Sequence, residues 1–262
     1  MVEFWRASSE FVVSADLAKC IEDDGWDGQS FMDTQCLAAD PYARMAVWAT
    51  LTKRLKLMTS VTNSLTRHVA VTAAASATIQ LISGGRAILG IGRGDSALAY
   101  LGYAPAKLPG FHKALRDLQT LLSGGEISYQ NDGTAYEAQS IDTMSLGERP
   151  SGSKLKWLPK DLPKVPLDVA ASGPKVIEMS APIAERITFS VGVTPERIKW
   201  AIGLANEARR KAGLSEEGIS YGAQIIVACS DDFNERQTIL HCAVPPLARF
   251  QAFQGKAVGP MS

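Results

Sequence analysis

Apolar and polar positions along this chain follow two alternating periods. Short, mostly apolar runs predict strands over 2–5, 26–33, 55–63, 86–92, 165–172, 186–193 and 219–230. Between them apolar residues return every three or four positions, which predicts helices within 14–25, 40–53, 68–85, 111–125, 173–184, 195–213 and 234–253. End signals agree with these spans. Ser14 and Asp40 stand at N-cap positions, Pro41 and Pro195 near a first helical turn, and Gly25 and Gly84-Gly85 just past a last one. The alternation breaks once, over 126–166. There EISYQNDGTAYEAQ reads as a hairpin around Asp132-Gly133, and four prolines crowd between 150 and 166. It resumes on the far side, so the stretch reads as an insertion in a single domain covering 1–262.

Strands alternating with helices imply a parallel sheet with right-handed crossovers. The runs AILGIG and AQIIVAC are apolar throughout, as strands covered on both faces should be. About seven strand–helix units fit two architectures: an open doubly wound sheet, or a (β/α)8 barrel truncated before its eighth strand and helix. Periodicity does not choose between them. In both, ligands bind at the C-terminal ends of the strands. That rule singles out Asp33 to Gln35, Ser60 to Asn63, Gly92 to Ser96, Ala171 to Lys175 and Val191 to Thr194.

Composition narrows the function. Lys plus Arg and Asp plus Glu are 27 each, so there is no electrostatic footprint for nucleic acid or an anionic membrane. No apolar stretch reaches membrane-spanning length, and the N-terminus lacks a signal-peptide pattern. Cys20, Cys36, Cys229 and Cys242 form no metal-ligand spacing. The expectation is a cytoplasmic protein with buried free thiols, no metal, and a small-molecule substrate.

Three stretches could carry chemistry. In GIGRGD, Gly90, Gly92 and Gly94 make G-x-G-x-G, which is not the dinucleotide spacing. Either the glycines permit a tight turn, or a flat ring lies against them where no Cβ fits. Asp95 then faces a substrate, or caps the helix that follows. In ASGPK, Ser172 and Gly173 open a helix whose free N–H groups suit phosphate, with Lys175 near; an ordinary cap reads equally well. In TNSLTRH, Arg67 and His68 stand where a helix starts; His68 contacts a ligand or caps its own helix. His112 and His241 lie inside helices and receive no role.

VTNSLTRH, ISGGRAILGIGRGD and AASGP together resemble the luciferase-like superfamily, whose members are FMN-dependent monooxygenases and coenzyme F-420-dependent oxidoreductases. VTN-x-x-TRH with GIG-x-GD is most similar to the F-420-dependent methylenetetrahydromethanopterin reductase type. The resemblance implies the TIM barrel rather than the open sheet. It also implies roles: Asp33, Asn63, Gly92 and Gly94 around the ring, and Ser60-Val61 as a non-prolyl cis peptide beneath it. Ser172 and Gly173 match a phosphate turn, Asp95 a carboxylate at the reacting face, and Thr34 and His68 positions near substrate. Thr34 stands where many F-420 enzymes carry His, and Ser60 where many carry Gly. KAVGPMS cannot supply an eighth unit, so a fragment or a partner covering the gap is expected. The implied activity is hydride transfer between F-420 and a small organic substrate. The rival readings are an FMN-dependent monooxygenase, a non-catalytic flavin-binding protein or an inactive fragment. Homodimerisation is expected by analogy.

Overall fold

The structure, a computed structural model, describes residues 2–8, 14–129, 141–144, 147, 149–192, 194–241 and 258–260. Contacts divide the chain into two compact units, 1–167 and 168–262.

The first unit runs β1 (Trp5–Ser8), α1 (Ala15–Asp23), β2 (Gly28–Phe31), α2 (Pro41–Leu51), β3 (Lys56–Thr59), β4 (Thr62–Asn63), α3 (Val69–Ser83), β5 (Ala87–Gly92), α4 (Ser96–Ala99), α5 (Leu108–Leu122), β6 (Glu126–Ile127) and β7 (Ser153–Lys154). β1, β2, β3 and β5 are parallel neighbours in that order, and β4 extends the line of β3 alongside β5. The expected third strand is thus two short strands, broken at Ser60-Val61, whose peptide bond is cis. Caps fall where the sequence puts them. Ser14 accepts from Leu17 N–H, Asp40 from Ala43 N–H, and Gly84 ends α3 at φ 65°. The core between sheet and helices holds Phe31, Trp48, Leu57, Leu89, Ile91, Phe111 and Leu115.

The first strand is displaced from its predicted place. VEFW is the apolar run, yet pairing starts at Trp5, because Phe4 and Asp27 exchange hydrogen bonds and set the register Trp5 to Gly28. Val2 and Phe4 are exposed. The region read as an insertion pairs β6 with β7 in antiparallel fashion; the predicted turn at Asp132-Gly133 lies outside the described residues.

The second unit runs β8 (Leu167–Ala171), α6 (Pro174–Ser180), β9 (Arg186–Phe189), α7 (Pro195–Lys211) and β10 (Ser220–Ala223), with the three strands parallel in the order β8, β9, β10. The predicted strand over 219–230 stops at Ala223, where the parallel register with β9 reaches Phe189 and ends. Ile225, Ile226 and Val227 are therefore exposed, not covered on both faces. Residues 233–241 are helical, and the rest of that predicted helix lies outside the described residues. The thiols also depart from expectation: Cys20, Cys36 and Cys229 are free but exposed. Cys20 sits on the outer side of α1, where Asp24 and Asp23 push its thiol pKa up. Among the described residues no helix is long and apolar enough to cross a membrane, and no group of His, Cys, Asp or Glu could hold a metal ion.

Candidate functional site

In the first unit the chain leaves β2 and β4 at the same end of the sheet, and a cavity of about 220 Å³ lies there, lined by Asp33, Gln35, Thr66, Arg67 and Leu101. Asp33 follows β2 and is only 4% exposed. A carboxylate that deep needs a partner, and Arg67 supplies it: Nη1 donates to Asp33 Oδ2 at 2.5 Å. Arg67 Nη2 donates to Asp40 Oδ2 at 2.7 Å, and its guanidinium lies 5.1 Å from the Tyr42 ring centroid. The two carboxylates hold the guanidinium pKa above its ordinary value, although burial pulls it down. Burial, with the Asp33 charge next, pushes the Tyr42 hydroxyl up to about 12, so it stays neutral. A further tie closes one wall, where Gln35 Nε2 donates to the Ala97 carbonyl at 2.7 Å.

Asn63 closes β4 beside its register partner Gly92. Its Oδ1 accepts from Leu65 and Thr66 N–H, forming the Asx turn that swings the chain towards α3. Its Nδ2 is buried with no hydrogen-bond partner among the described residues, as is the hydroxyl of Thr66, while that of Thr62 faces the Tyr42 hydroxyl. Buried polar groups are nearly always paired, so the Asn63 amide and the Thr66 hydroxyl are the atoms that invite a ligand.

The other predicted residues sort unevenly. Ser60 N–H donates to Phe31 carbonyl, which fixes the start of the Ser60-Val61 segment against β2. Packing requires two glycines of the run. A Cβ on Gly90 would sit 1.9 Å from the Thr59 carbonyl, and one on Gly94, at φ 86°, would strike Leu98. Asp95 occupies the N-cap position of α4 without a side-chain capping bond, and it is not among the residues lining the cavity. Thr34 is buried beside Asp33, and its carbonyl accepts from Leu37 and Ala38 N–H in a turn. His68 takes the cap role, its Nδ1 accepting from Ala70 N–H at 3.2 Å. In the second unit, Ser172 follows β8 and Gly173 is the extended N-cap of α6, a helix of only 7 residues. Nothing lies within 4 Å of a Cβ added at Gly173, so packing does not require glycine there. Sequence reasoning placed Arg67 at the helix start without giving it a role, and passed over Thr66 and Leu101. The readable signal was a lone arginine between a strand end and a capped helix start, opposite the acidic end of the preceding strand.

Comparison with known proteins gives this arrangement its family. The luciferase-like monooxygenase family profile matches residues 9–258, and the chain belongs to that family. Among curated proteins it is similar to 5,10-methylenetetrahydromethanopterin reductase of Methanolobus tindarius, 26% identical over 220 residues that make up 83% of this chain and 62% of the relative. The same enzyme from Methanopyrus kandleri is 27% identical over 237 residues, with the same coverage. The chain thus spans about three fifths of the length of these relatives. Among solved structures, the F-420-dependent tetrahydromethanopterin reductase of Methanopyrus kandleri superposes with a TM-score of 0.73 at 24% identity, over 89% of this chain and 68% of that one. An F-420-dependent secondary alcohol dehydrogenase in complex with an F-420–acetone adduct gives 0.74 at 18% identity, over 94% and 76%. These likenesses decide the fold class for the luciferase-like (β/α)8 type over the open doubly wound sheet.

Proposed function

We propose that the chain is an oxidoreductase that uses coenzyme F-420 or FMN and passes hydride between the cofactor ring and a small organic substrate. The observation that carries this reading is the cavity at the ends of β2 and β4, with Asp33 and Thr66 in its wall and the unpartnered Asn63 amide at the strand end that leads to Thr66. Ring carbonyls and ring N–H groups would satisfy that set. Curated relatives named for coenzyme F-420 support the deazaflavin, among them an F-420-dependent glucose-6-phosphate dehydrogenase of Beutenbergia cavernae, 33% identical over 154 residues. A 3,6-diketocamphane monooxygenase component in complex with FMN, with a TM-score of 0.67 at 16% identity, keeps FMN as the second reading.

In this reading the bound cofactor supplies the hydride chemistry. Asp33 and Asn63 would hold the ring edge, with Ser60, Val61, Gly92 and Gly94 forming the rest of its seat. Thr34 and His68 stand near the substrate, and Asp95 relays a proton. Ser172 and Gly173 are carried as phosphate-binding residues on the resemblance alone. The protein works in the cytoplasm as a homodimer. The outer faces of α2 and α3 support the dimer: Ala43, Val47, Thr50, Leu51, Val71, Thr78, Leu81 and Ile82 are exposed, and none of them is charged.

Parallel fluorescence titrations of the full chain with F-420 and FMN test the proposal. Binding of F-420 is the expected result. Binding of FMN alone moves the protein to the monooxygenase branch, and binding of neither overturns the reading. Asp95→Asn is expected to keep cofactor affinity and lose turnover; unchanged turnover removes Asp95 from the relay.

A further inference from the structure

Arg67 is held from three sides, and its one link to the cavity's acid is through Asp33. Its Nη1 meets Asp33 Oδ2 and its Nη2 meets Asp40 Oδ2, while Tyr42 covers its face. Asp40 is itself committed, because its other oxygen accepts from Ala43 N–H at the start of α2. The guanidinium is therefore pinned to a helix end and has little freedom to swing towards a ligand. On the cavity side the chain ends at Asp33, whose Oδ2 is spent on Arg67 and whose Oδ1 has no hydrogen-bond partner among the described residues. Two carboxylates share one arginine, so the cluster carries a net negative charge and does not suit an anionic group. It suits the edge of a neutral molecule presenting an N–H or O–H.

We propose that Arg67 is a positioning residue. It holds the Asp33 carboxylate in one orientation, so that Oδ1 stands on the cavity wall as a fixed acceptor for a donor on the bound ring or substrate. Planar fork geometry is what the task needs. An arginine can satisfy two carboxylates at set angles, whereas a lysine is a point charge on a flexible stem. The inference rests on the cofactor reading above, since it requires Asp33 to face a bound ring.

A double-mutant cycle on the full chain tests it, with dissociation constants read by fluorescence for whichever of F-420 or FMN the wild type binds. Asp33→Asn and Arg67→Met are each expected to weaken binding about tenfold, and the double variant no more than Asp33→Asn alone. Multiplying losses would mean that Arg67 touches the ligand itself, and an unaltered Arg67→Met would mean that Asp33 needs no positioning; either overturns the inference. Arg67→Lys, which keeps the charge, is expected to fold as the wild type does and to bind between the wild type and Arg67→Met. Full recovery by lysine would show that charge alone suffices and would remove the orienting role. A wild type that binds neither cofactor overturns the cofactor reading and this inference together, whereas a loss confined to the pattern among variants overturns the inference alone.

Discussion

Two arginines of the first unit sit at opposite ends of the same sheet. Arg86 precedes β5, at the N-terminal end of the strands. Its Nε donates to Ser83 carbonyl, Nη1 to Thr52 Oγ1 and Leu55 carbonyl, and Nη2 to the Ala49 and Thr52 carbonyls. A guanidinium has five N–H donors, and every one of these is spent on neutral acceptors within the fold. Arg67, past the C-terminal ends, meets two carboxylates and faces a cavity. The neighbours repeat the contrast. Beside Arg86, Glu22 accepts from Lys53, Arg54 and Leu55 N–H. In the segment that leads to Arg67, Asn63 and Thr66 keep unspent polar atoms. One end of the sheet is closed by saturated polar networks and the other keeps capacity in hand, which is how a barrel separates stability from binding.

The largest effect should come from breaking the closed end. Arg86→Met leaves the carbonyls of Ala49, Thr52, Leu55 and Ser83 without their donor in a part-buried corner. Each orphaned acceptor costs about 1–3 kcal/mol, and local relaxation recovers some of the sum, so the net loss should be about 3 kcal/mol or more. A urea melt should show the midpoint fall, while cofactor affinity of the molecules that remain folded stays at the wild-type value. Lost affinity at an unchanged midpoint would invert the comparison.

A smaller, sharper test lies at the open end. Asn63 has one atom in each category, Oδ1 spent on the turn and Nδ2 unspent. Asn63→Ala removes both and should cost about 1–2 kcal/mol as well as affinity. Asn63→Asp keeps the two backbone N–H bonds, which favour the carboxylate, and exchanges only the donor for an acceptor. With its second oxygen unpaired at a position only 1% exposed, it should cost about 2–3 kcal/mol in stability, and the molecules that remain folded should bind the cofactor about tenfold more weakly. Equal affinity in Asn63→Asp and wild type would mean that Nδ2 meets no ligand.

How far the sequence carries depends on whether a feature is local. Caps at Ser14, Asp40 and His68 and the stop at Gly84 are short-range hydrogen bonding, and they were legible. So was the line of strand ends that includes Asp33 and Asn63. Pairing limits were not: the register of β1 depends on Asp27 meeting Phe4, and the end of β10 on where β9 stops. Apolar runs such as AQIIVAC look alike whether a neighbour strand covers them or not. The Asp33–Arg67–Asp40 chain escaped for the same reason, since its members lie 34 and 27 residues apart. Packing is equally hidden at GIGRGD, where the Thr59 carbonyl leaves no room for a Cβ at Gly90 and Leu98 leaves none at Gly94.

The smallest expected effect concerns the closed end and acid. Burial pushes the Glu22 carboxyl up, but the bonds from Arg54, Leu55 and Lys53 N–H and the charge of Arg54 outweigh it, so its pKa lies below the ordinary value. A group with a lowered pKa takes up its proton more readily in the unfolded chain. Its contribution is therefore complete above the unfolded value, about 4.3, and is lost as the pH falls through the folded one. The site is mostly open to solvent, so the contribution is small. Glu22→Gln should melt slightly below wild type at pH 7, and the gap should close as the pH is taken from 5 towards 3. A gap that stays constant over that range would show that the three N–H groups need an acceptor there but not a charge, leaving Arg86 as the ionised group that closes this end of the sheet.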